Sequence, residues 1–504
     1  MIEYLNFENV NNQFLFEQMQ GYNLTRALIN QELTGVFNTQ TLRDMRDILK
    51  MYNIYFQGSG FTTDKNNGQD YIPADWHAKK IKMLIDKEAR FLFSEPPDIT
   101  LMDTTSETSD NDRIQPNQTL LSKVLKENRF SSKLVRAAKD CLIGKRIALV
   151  MNFDTELNKV SVNFVPSLEF VYETDPADVD KITKFIQFYS VVVNEEQSQQ
   201  RIYKKKWYLK NGICRVVEEI YDGNANLIET IMEDTATMFD YIPVAIIIND
   251  GLSGDPFGSS DVEALEDTES YYSKLTNKDI DSLRKGTDQI TFAIDADPRT
   301  TKNLSRAPGA FWDLATDPAK EGGQANVGSL DNPMSYSTAL DSTLQRLNSD
   351  MYAQLDVPNT SNDALQGIIT SGKTMQAIYW GLMVRCNEKM LDWSPAFEFM
   401  AETILDGCRL YPEICRAYID EDIVLDGYKI EVTNSYPILQ DETEEKASDL
   451  SEIAAQVRSR KSYMKKWMNM TDADADQELA QIQKEKQMFE QDSYTAQLMK
   501  SLEE

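Results

Sequence analysis

Apolar residues recur with two periods along the chain, and the changes of period mark its organisation. Residues 1–73 read as helical, polar and loosely patterned. From Asp75, Ala78, Ile81, Ile85, Ala89 and Leu92 recur at helical spacing. The prolines of "SEPPD" (94–98) stop that helix, because proline has no N–H to extend the ladder. A polar stretch, 101–118, predicts a loop, and another helix spans roughly Thr119 to Ile143. The period then drops to two. "RIALVMNF", "KVSVNFV", "LEFVYE", "KFIQFYSVVV", "IYKKKWYLK", "CRVVEEIY" and "NLIETIM" alternate like half-buried strands, with Asn211-Gly212 and Asp222-Gly223 as turn formers. They predict an antiparallel meander over 145–233, closed by a buried strand in "YIPVAIIIND" (241–250).

The helical period returns in "GSSDVEALEDTESYYSKLTNKDIDSLRKG" (258–286), where Ser260 and Glu263 have capping-box spacing. Its apolar stripe is thin: Val262, Leu265, Tyr272 and Leu275. Charges of both signs fill the remainder, and a helix that polar has neighbours or water on several sides. Across 287–334, "DQITFAID" and "GAFWDLATD" predict two strands of a small inserted unit. In 335–358, Leu340, Leu344, Leu347, Met351 and Leu355 form one helical stripe that Pro358 ends. "NTSNDALQGIITSG" predicts a flexible loop. The helix that starts near Lys373 shows Met375, Ile378, Tyr379, Leu382, Met383, Cys386 and Met390 on one face. It reaches about Leu405, and Pro395 inside it predicts a kink near Asp392. A strand in "YKIEVTN" (428–434) precedes a charged helical tail, 441–504. The pattern is α+β, with no internal repeat.

Length and composition narrow the class. A chain of 504 residues with 41% hydrophobic and 26% charged residues is globular and long enough for two to four domains. No apolar run reaches membrane-spanning length, and the first residues lack a signal-peptide pattern. "YNIYFQGSG" (52–60) resembles a protease-tag remnant, but Tyr52 replaces the acid such a site needs, so it reads as native. Five dispersed cysteines, with only Cys408 and Cys415 close, give neither a zinc pattern nor a disulfide framework. The net charge of −29 argues against a protein that grips DNA, although not against one that DNA slides past.

Candidate chemistry is sparse. "GIITSGKT", Gly367 to Thr374, fits the phosphate loop G-x-x-x-x-G-K-[ST]. Such a loop needs a buried strand running into it and a helix after it. "NTSNDALQ" before it is polar and lacks a β-branched run. The acid for magnesium has one candidate, Asp250 of "AIIIND", which lies far upstream behind Asn249. The glycines therefore read as a mobile loop, with Thr370 or Ser371 capping the next helix. "DADADQE" (472–478) begins like a calcium loop, but Gln477 and Gln483 occupy the positions of its Gly and Glu. "KKK" (204–206) reads as a strand face, "DETEE" (441–445) as an acidic helix start, and the one histidine, His77, as a boundary residue. No catalytic constellation, metal set or cofactor site remains.

Several segments, in order, resemble the portal proteins of tailed double-stranded-DNA bacteriophages, of the siphophage type. "WHAKKIKMLIDKEARFLFSEPPDI" (76–99) is similar to that family's early helix, and "IPVAIIINDG" with "GSSDVEALEDTESYYSKLTNKDID" to its strand and first stem helix. "TSGKTMQAIYWGLMVRCNEKM" (370–390) resembles the start of its long helix, and "YPILQDETEEKASDLSEIAAQVRSRKSYMKKW" with "DADQELAQIQKEK" its C-terminal helices. The resemblance covers about residues 40–490.

It implies a portal fold without enzymatic activity: a wing over 1–257 containing the meander (145–250), stem helices at 258–286 and 335–356, and a clip at 287–334. A tunnel loop at 357–371, a long kinked helix returning to the wing (372–440) and a helical crown (441–504) complete it. It further implies a ring of typically twelve copies at one capsid vertex. Double-stranded DNA passes through the channel, the terminase large subunit and head-completion or adaptor proteins dock, and capsid and scaffolding proteins surround the ring, with no membrane. On that map Asn359, Thr360, Ser361, Asn362, Asp363, Gln366 and Lys373 belong to the tunnel loop, Lys278 and Lys285 to the stem's channel face, and Arg299, Lys302, Arg306 and Trp312 to the clip. The competing readings are a P-loop ATPase using Gly367 to Thr374, such as a packaging motor, and another head–tail connector.

Overall fold

The computed structural model describes residues 28–29, 32, 35–60, 72–105, 112–192, 200–222, 224–252, 255, 257–287, 290–301, 314–319, 323–330, 335–360, 372–424, 426–436, 442–468, 470 and 475–485. The chain divides into two units, Met1–Asn359 with Gly381–Pro437, and Thr360–Trp380 with Ile438–Glu504.

The first unit opens with α1 (Gly35–Gln57) and α2 (Lys80–Leu92). The tag-like stretch is native core: Tyr52, Ile54 and Tyr55 of α1 are buried. Gly58 follows at φ +90, where a Cβ would stand 2.8 Å from the carbonyl oxygen of Ala78, so glycine is required. The helix expected over Thr119–Ile143 is two helices, α3 (Gln115–Glu127) and α4 (Phe130–Gly144). Arg129 breaks them apart in the left-handed region at φ 50. Asn128 fixes that corner. Its amide donates to the carbonyls of Val124 and Val160 and accepts from the N–H of Val162, each at 2.9 Å. Part of the expected loop 101–118 is strand. β1 (Asp98–Asp103) pairs antiparallel with β12 (Tyr428–Thr433), a distant partner that no local pattern announces.

The strands expected in 145–250 are present, but in two sheets. β2 (Arg146–Asp154), β3 (Lys159–Pro166) and β9 (Val244–Ile248) form one, in the order β3-β2-β9. β4 (Phe170–Asp175), β5 (Asp178–Val192), β6 (Gln200–Lys210), β7 (Ile213–Asp222) and β8 (Leu227–Ala236) form a five-stranded meander. β9 therefore closes onto β2, Val150 facing Val244, and not onto the meander. Asn211 (φ 55) and Gly212 (φ 75) are both left-handed, as a tight turn matched to strand twist requires. Ala148, Val150, Phe170, Phe185, Trp207 and Val244 bring both sheets into one core. Removing one such aromatic typically costs about 3–5 kcal/mol.

The lysine run on β6 is internal. Lys206 pairs with Glu32 at 2.8 Å, Lys204 with Glu32 and Glu219, and Lys205, on the other face, with Glu218 at 2.7 Å. All five cysteines are buried and unbonded. In the second unit, α9 (Glu442–Ala454), α10 (Arg460–Met468) and a helical run over 475–485 follow one another. Asp449 gathers the indole N–H of Trp467 (2.6 Å), Lys466 (3.2 Å) and Arg458. The Trp467 hydrogen bond, with Lys466 and Arg458, holds its carboxyl below the ordinary carboxylate value. No described helix is long and apolar enough to cross a membrane.

Candidate functional site

The elements between the large sheets and the long helix form a distinct arrangement in the first unit. α5 (Asp261–Thr287) leads into β10 (Ile290–Ile294) and the single turn α6 (Pro298–Thr301). β11 (Asn326–Leu330) and α7 (Ser337–Gln354) complete it. The two long helices are antiparallel neighbours: Gln354 reaches Thr268 at 3.4 Å, and Tyr336 reaches Asp279 at 3.5 Å. Between them β10 pairs with β11, Ile290 facing Leu330. The strand expected in "GAFWDLATD" is not that partner. Of its described residues, Thr316 makes one isolated bridge to Ala296. The unit is too small to bury its apolar residues, and Phe292, Ile294 and Val327 are exposed.

α5 is polar because it holds an extended segment. Residues 72–79, expected as the start of a helix from Asp75, are extended instead and run antiparallel to α5. Asp281 accepts the N–H of Ala74 (2.9 Å), Asn277 that of Trp76 (2.7 Å) and Ser273 that of Ala78 (3.1 Å). The Asn277 amide also donates to the Trp76 carbonyl. Two extended residues advance about 6.6 Å and four helical residues about 6.0 Å, so alternate N–H groups meet every fourth side chain. Glu269 finishes the series. It accepts the N–H of Ile81 (3.0 Å), an orphan donor in the first turn of α2, and both N–H (2.9 Å) and hydroxyl (2.7 Å) of Ser59. His77 sits in this segment with Nδ1 3.1 Å from the Ser59 carbonyl oxygen.

A second polar cluster anchors the N-terminus of α5. Ser260 caps it by accepting the N–H of Val262 (3.2 Å) while donating to the Ile143 carbonyl (2.8 Å). Next to it, Asp261 meets Arg385 (3.0 Å) and Lys389 (3.0 Å) of the long helix α8 (Gly372–Leu410). Arg385 also pairs with Glu88 of α2 at 2.8 Å, and Lys389 donates to Asn249 at 2.7 Å. Two acids and two cations thus join α2, α5 and α8 with no net charge, nearly dry. Burial drives both carboxyls upward. At Asp261, Lys389 and Arg385 outweigh it and hold the group below the ordinary carboxylate value. At Glu88, burial and the nearby Asp261 charge win, and the group is raised. The arrangement fixes the angle between three helices; it offers no open position to a substrate.

The phosphate-loop context is missing. The described chain leading to Gly367 is α7 and then Leu355 to Thr360, with no strand. The Asn249 amide, beside the one acid that could have served magnesium, is committed to Lys389 and Asp261. Among the described residues no cluster of His, Cys, Asp or Glu could hold a metal. Of the calcium-like stretch, Asp476 pairs with Lys461 at 2.9 Å, while Asp472 and Asp474 lie outside the described residues.

The sequence matches the family described as phage portal protein, SPP1 Gp6-like, over residues 34–492. The chain belongs to the phage portal protein family. Its mixture of helices and antiparallel sheets is the α+β portal fold, and the family is a structural one. Among solved structures, the neck of an empty GTA particle, computed with C6 symmetry, is similar to this portal protein over 76% of this chain and 88% of its own. The identity is 10% and the TM-score 0.43. No curated protein matches the sequence.

Of the residues singled out by sequence for the channel and clip, four have described side chains. Lys278 is exposed on α5, and Arg299 is exposed on α6, its N–H held by Asp297 at 2.9 Å. Asn359 and Thr360 are half-buried. Ser361, Asn362, Asp363, Gln366, Lys302, Arg306 and Trp312 lie outside the described residues, as do the side chains of Lys285 and Lys373. α8 begins at Gly372, as the S-G-K start implied, and continues past Pro395 to Leu410, five residues beyond the expected end. The cluster of Glu88, Asp261, Arg385 and Lys389 and the strap on α5 were missed. Their one sequence signal was the excess of polar residues on α5.

Proposed function

We propose that the chain is the subunit of a ring of about twelve copies at one vertex of a phage capsid, forming the channel through which double-stranded DNA is packaged and ejected. α5 and α7 are the stem, residues 287–334 the clip, and residues 357–371 the tunnel loop. Residues 1–257 with the return after α8 make the wing, and 441–504 the crown. The observation that carries this reading is the helix, two-stranded unit, helix order of α5 to α7, inside a family match that spans residues 34–492.

The physics suits a conduit. A chain of net charge −29, repeated around a ring, repels a polyanion from its walls within about 8 Å at physiological salt and lets DNA slide. Lys373, at the junction of tunnel loop and α8, gives a basic ring that touches the DNA backbone. Arg299, Lys302, Arg306 and Trp312 on the clip meet the terminase large subunit during packaging and head-completion proteins afterwards. Scaffolding and capsid proteins meet the outside of the ring during assembly in the host. Catalysis is left to the motor. A packaging assay with Lys373→Ala tests the channel assignment. DNA uptake should change while rings still form, whereas loss of ATP binding by the purified protein would point to a phosphate loop.

A further inference from the structure

β9 is an outer strand of its sheet, and its free edge opens into a groove. Asn249 donates its N–H to the Lys145 carbonyl, and Met151 donates to that of Pro243, so this strand bonds to β2 through its odd-numbered residues. The backbone groups of Val244, Ile246 and Ile248 therefore point away from the sheet. Val244 closes its N–H onto the Ile242 carbonyl at 2.7 Å. Among the described residues nothing takes the N–H of Ile246 or of Ile248, or the carbonyl of Ile246. Proteins blunt such an edge with a lysine, a proline or a bulge, and "VAIII" contains none of these. The groove is a cavity of about 520 Å³ between β9, the β4–β5 end of the meander and α8. Ile182, Leu209, Ile246, Ile248 and Phe399 give it apolar walls. Asp180 and Asp392 stand exposed on its rim against one cation, Lys181, and none of the three has an ion-pair partner among the described residues. Burial raises the Asp392 carboxyl; Lys389 offsets part of that rise, and Asp250 adds to it.

Walls on both sides leave room beside β9 for a single extended chain rather than for the edge of a second sheet. At about 3.3 Å per residue, the strand offers such a chain roughly 16 Å of pairing. We propose that the groove docks an extended basic segment of a partner protein, which adds to β9 as a strand, with every second side chain, apolar, in the groove and lysines or arginines at the rim. Main-chain hydrogen bonds to Ile246 and Ile248 give the segment its register. The walls formed by Ile182, Leu209 and Phe399 select its apolar residues. Its charge is selected by the rim carboxylates, set in a chain of net charge −29 that attracts cationic segments and repels acidic ones. A nucleic acid meets the same repulsion and has no row of N–H and C=O groups to pair with the edge. The site is complete within one copy, so it stands apart from the ring.

Four labelled peptides, fluorescein-KxTxKxT-amide with x as Val, Ile, Leu or Phe, test the site by fluorescence anisotropy on the full-length protein. At least one should bind with a Kd below about 100 μM, and its acidic counterpart, ExTxExT, about tenfold more weakly. Amide exchange at Ile246 and Ile248 should slow about fivefold or more when the peptide is bound. Ile246→Pro removes a donor that β2 does not use and should weaken binding about tenfold. Asp392→Lys, at an exposed position, should weaken it about fivefold and flatten its salt dependence. Unchanged circular dichroism and thermal midpoints would show that both variants fold. Binding that neither variant weakens, or that leaves the Ile246 and Ile248 amides unprotected, overturns the proposal. So does tighter binding of the acidic peptides, or failure of all four basic ones to saturate by about 1 mM.

Discussion

The inner and outer faces of α5 use the same residue types to opposite ends. On the inner side Asp261, Glu269, Asn277 and Asp281 are committed within the chain. Asp261, Glu269 and Asn277 are almost wholly buried, and each accepts hydrogen bonds that no water could replace. On the outer side Asp267 and Lys278 stand in solvent. The first set holds the monomer's shape, because a buried charge that loses its partner is costly. The second contributes almost nothing to the monomer, since even a paired exposed charge is worth about 0–1 kcal/mol.

Breaking the inner set at its densest point should give the largest effect. Arg385→Ala leaves Glu88 and Asp261 with Lys389 alone. We expect a loss of about 3–5 kcal/mol in denaturant unfolding, against which an unchanged midpoint would argue. Glu269→Ala strands the N–H of Ile81 and two donors of Ser59. It should cost about 3 kcal/mol and free the strap, visible as faster amide exchange at Ala74, Trp76 and Ala78.

A titration sharpens the same contrast. Burial raises the Asp140 carboxyl, which accepts the Tyr52 hydroxyl at 2.9 Å, to about 6. The folded state then holds a proton that the unfolded state releases near pH 4. Stability from this group is therefore highest below pH 4 and falls by about 3 kcal/mol as pH rises through 6. Asp140→Asn should flatten that slope, and an identical slope in the variant would assign it elsewhere. Smallest of all, Asp267→Lys should shift monomer unfolding by less than about 0.5 kcal/mol.

Periodicity made most of the fold legible. α5, α7, α8 and the strands from β2 to β9 lie where the apolar pattern put them, because burial of one face is what that pattern records, except in β8, where every residue is exposed. What stayed hidden was set by partners distant in sequence. β1 is a strand because β12 supplies its hydrogen bonds, and Arg129 breaks a helix because Asn128 is needed at β3. The strap at 72–79 has helical spacing but extends because α5 takes its N–H groups. The same holds for the functional elements. The order of helices and the S-G-K helix start were readable, whereas the junction of Glu88, Asp261, Arg385 and Lys389 was not. Ionic side chains four residues apart look alike whether they face water or one another.

The most direct test of the account is the size and symmetry of the purified full-length protein, by native mass and negative-stain imaging. It predicts closed rings of about twelve subunits with a central hole. A monodisperse monomer at high concentration, particularly one that hydrolyses ATP, would contradict the conduit and return "GIITSGKT" to consideration as a phosphate loop.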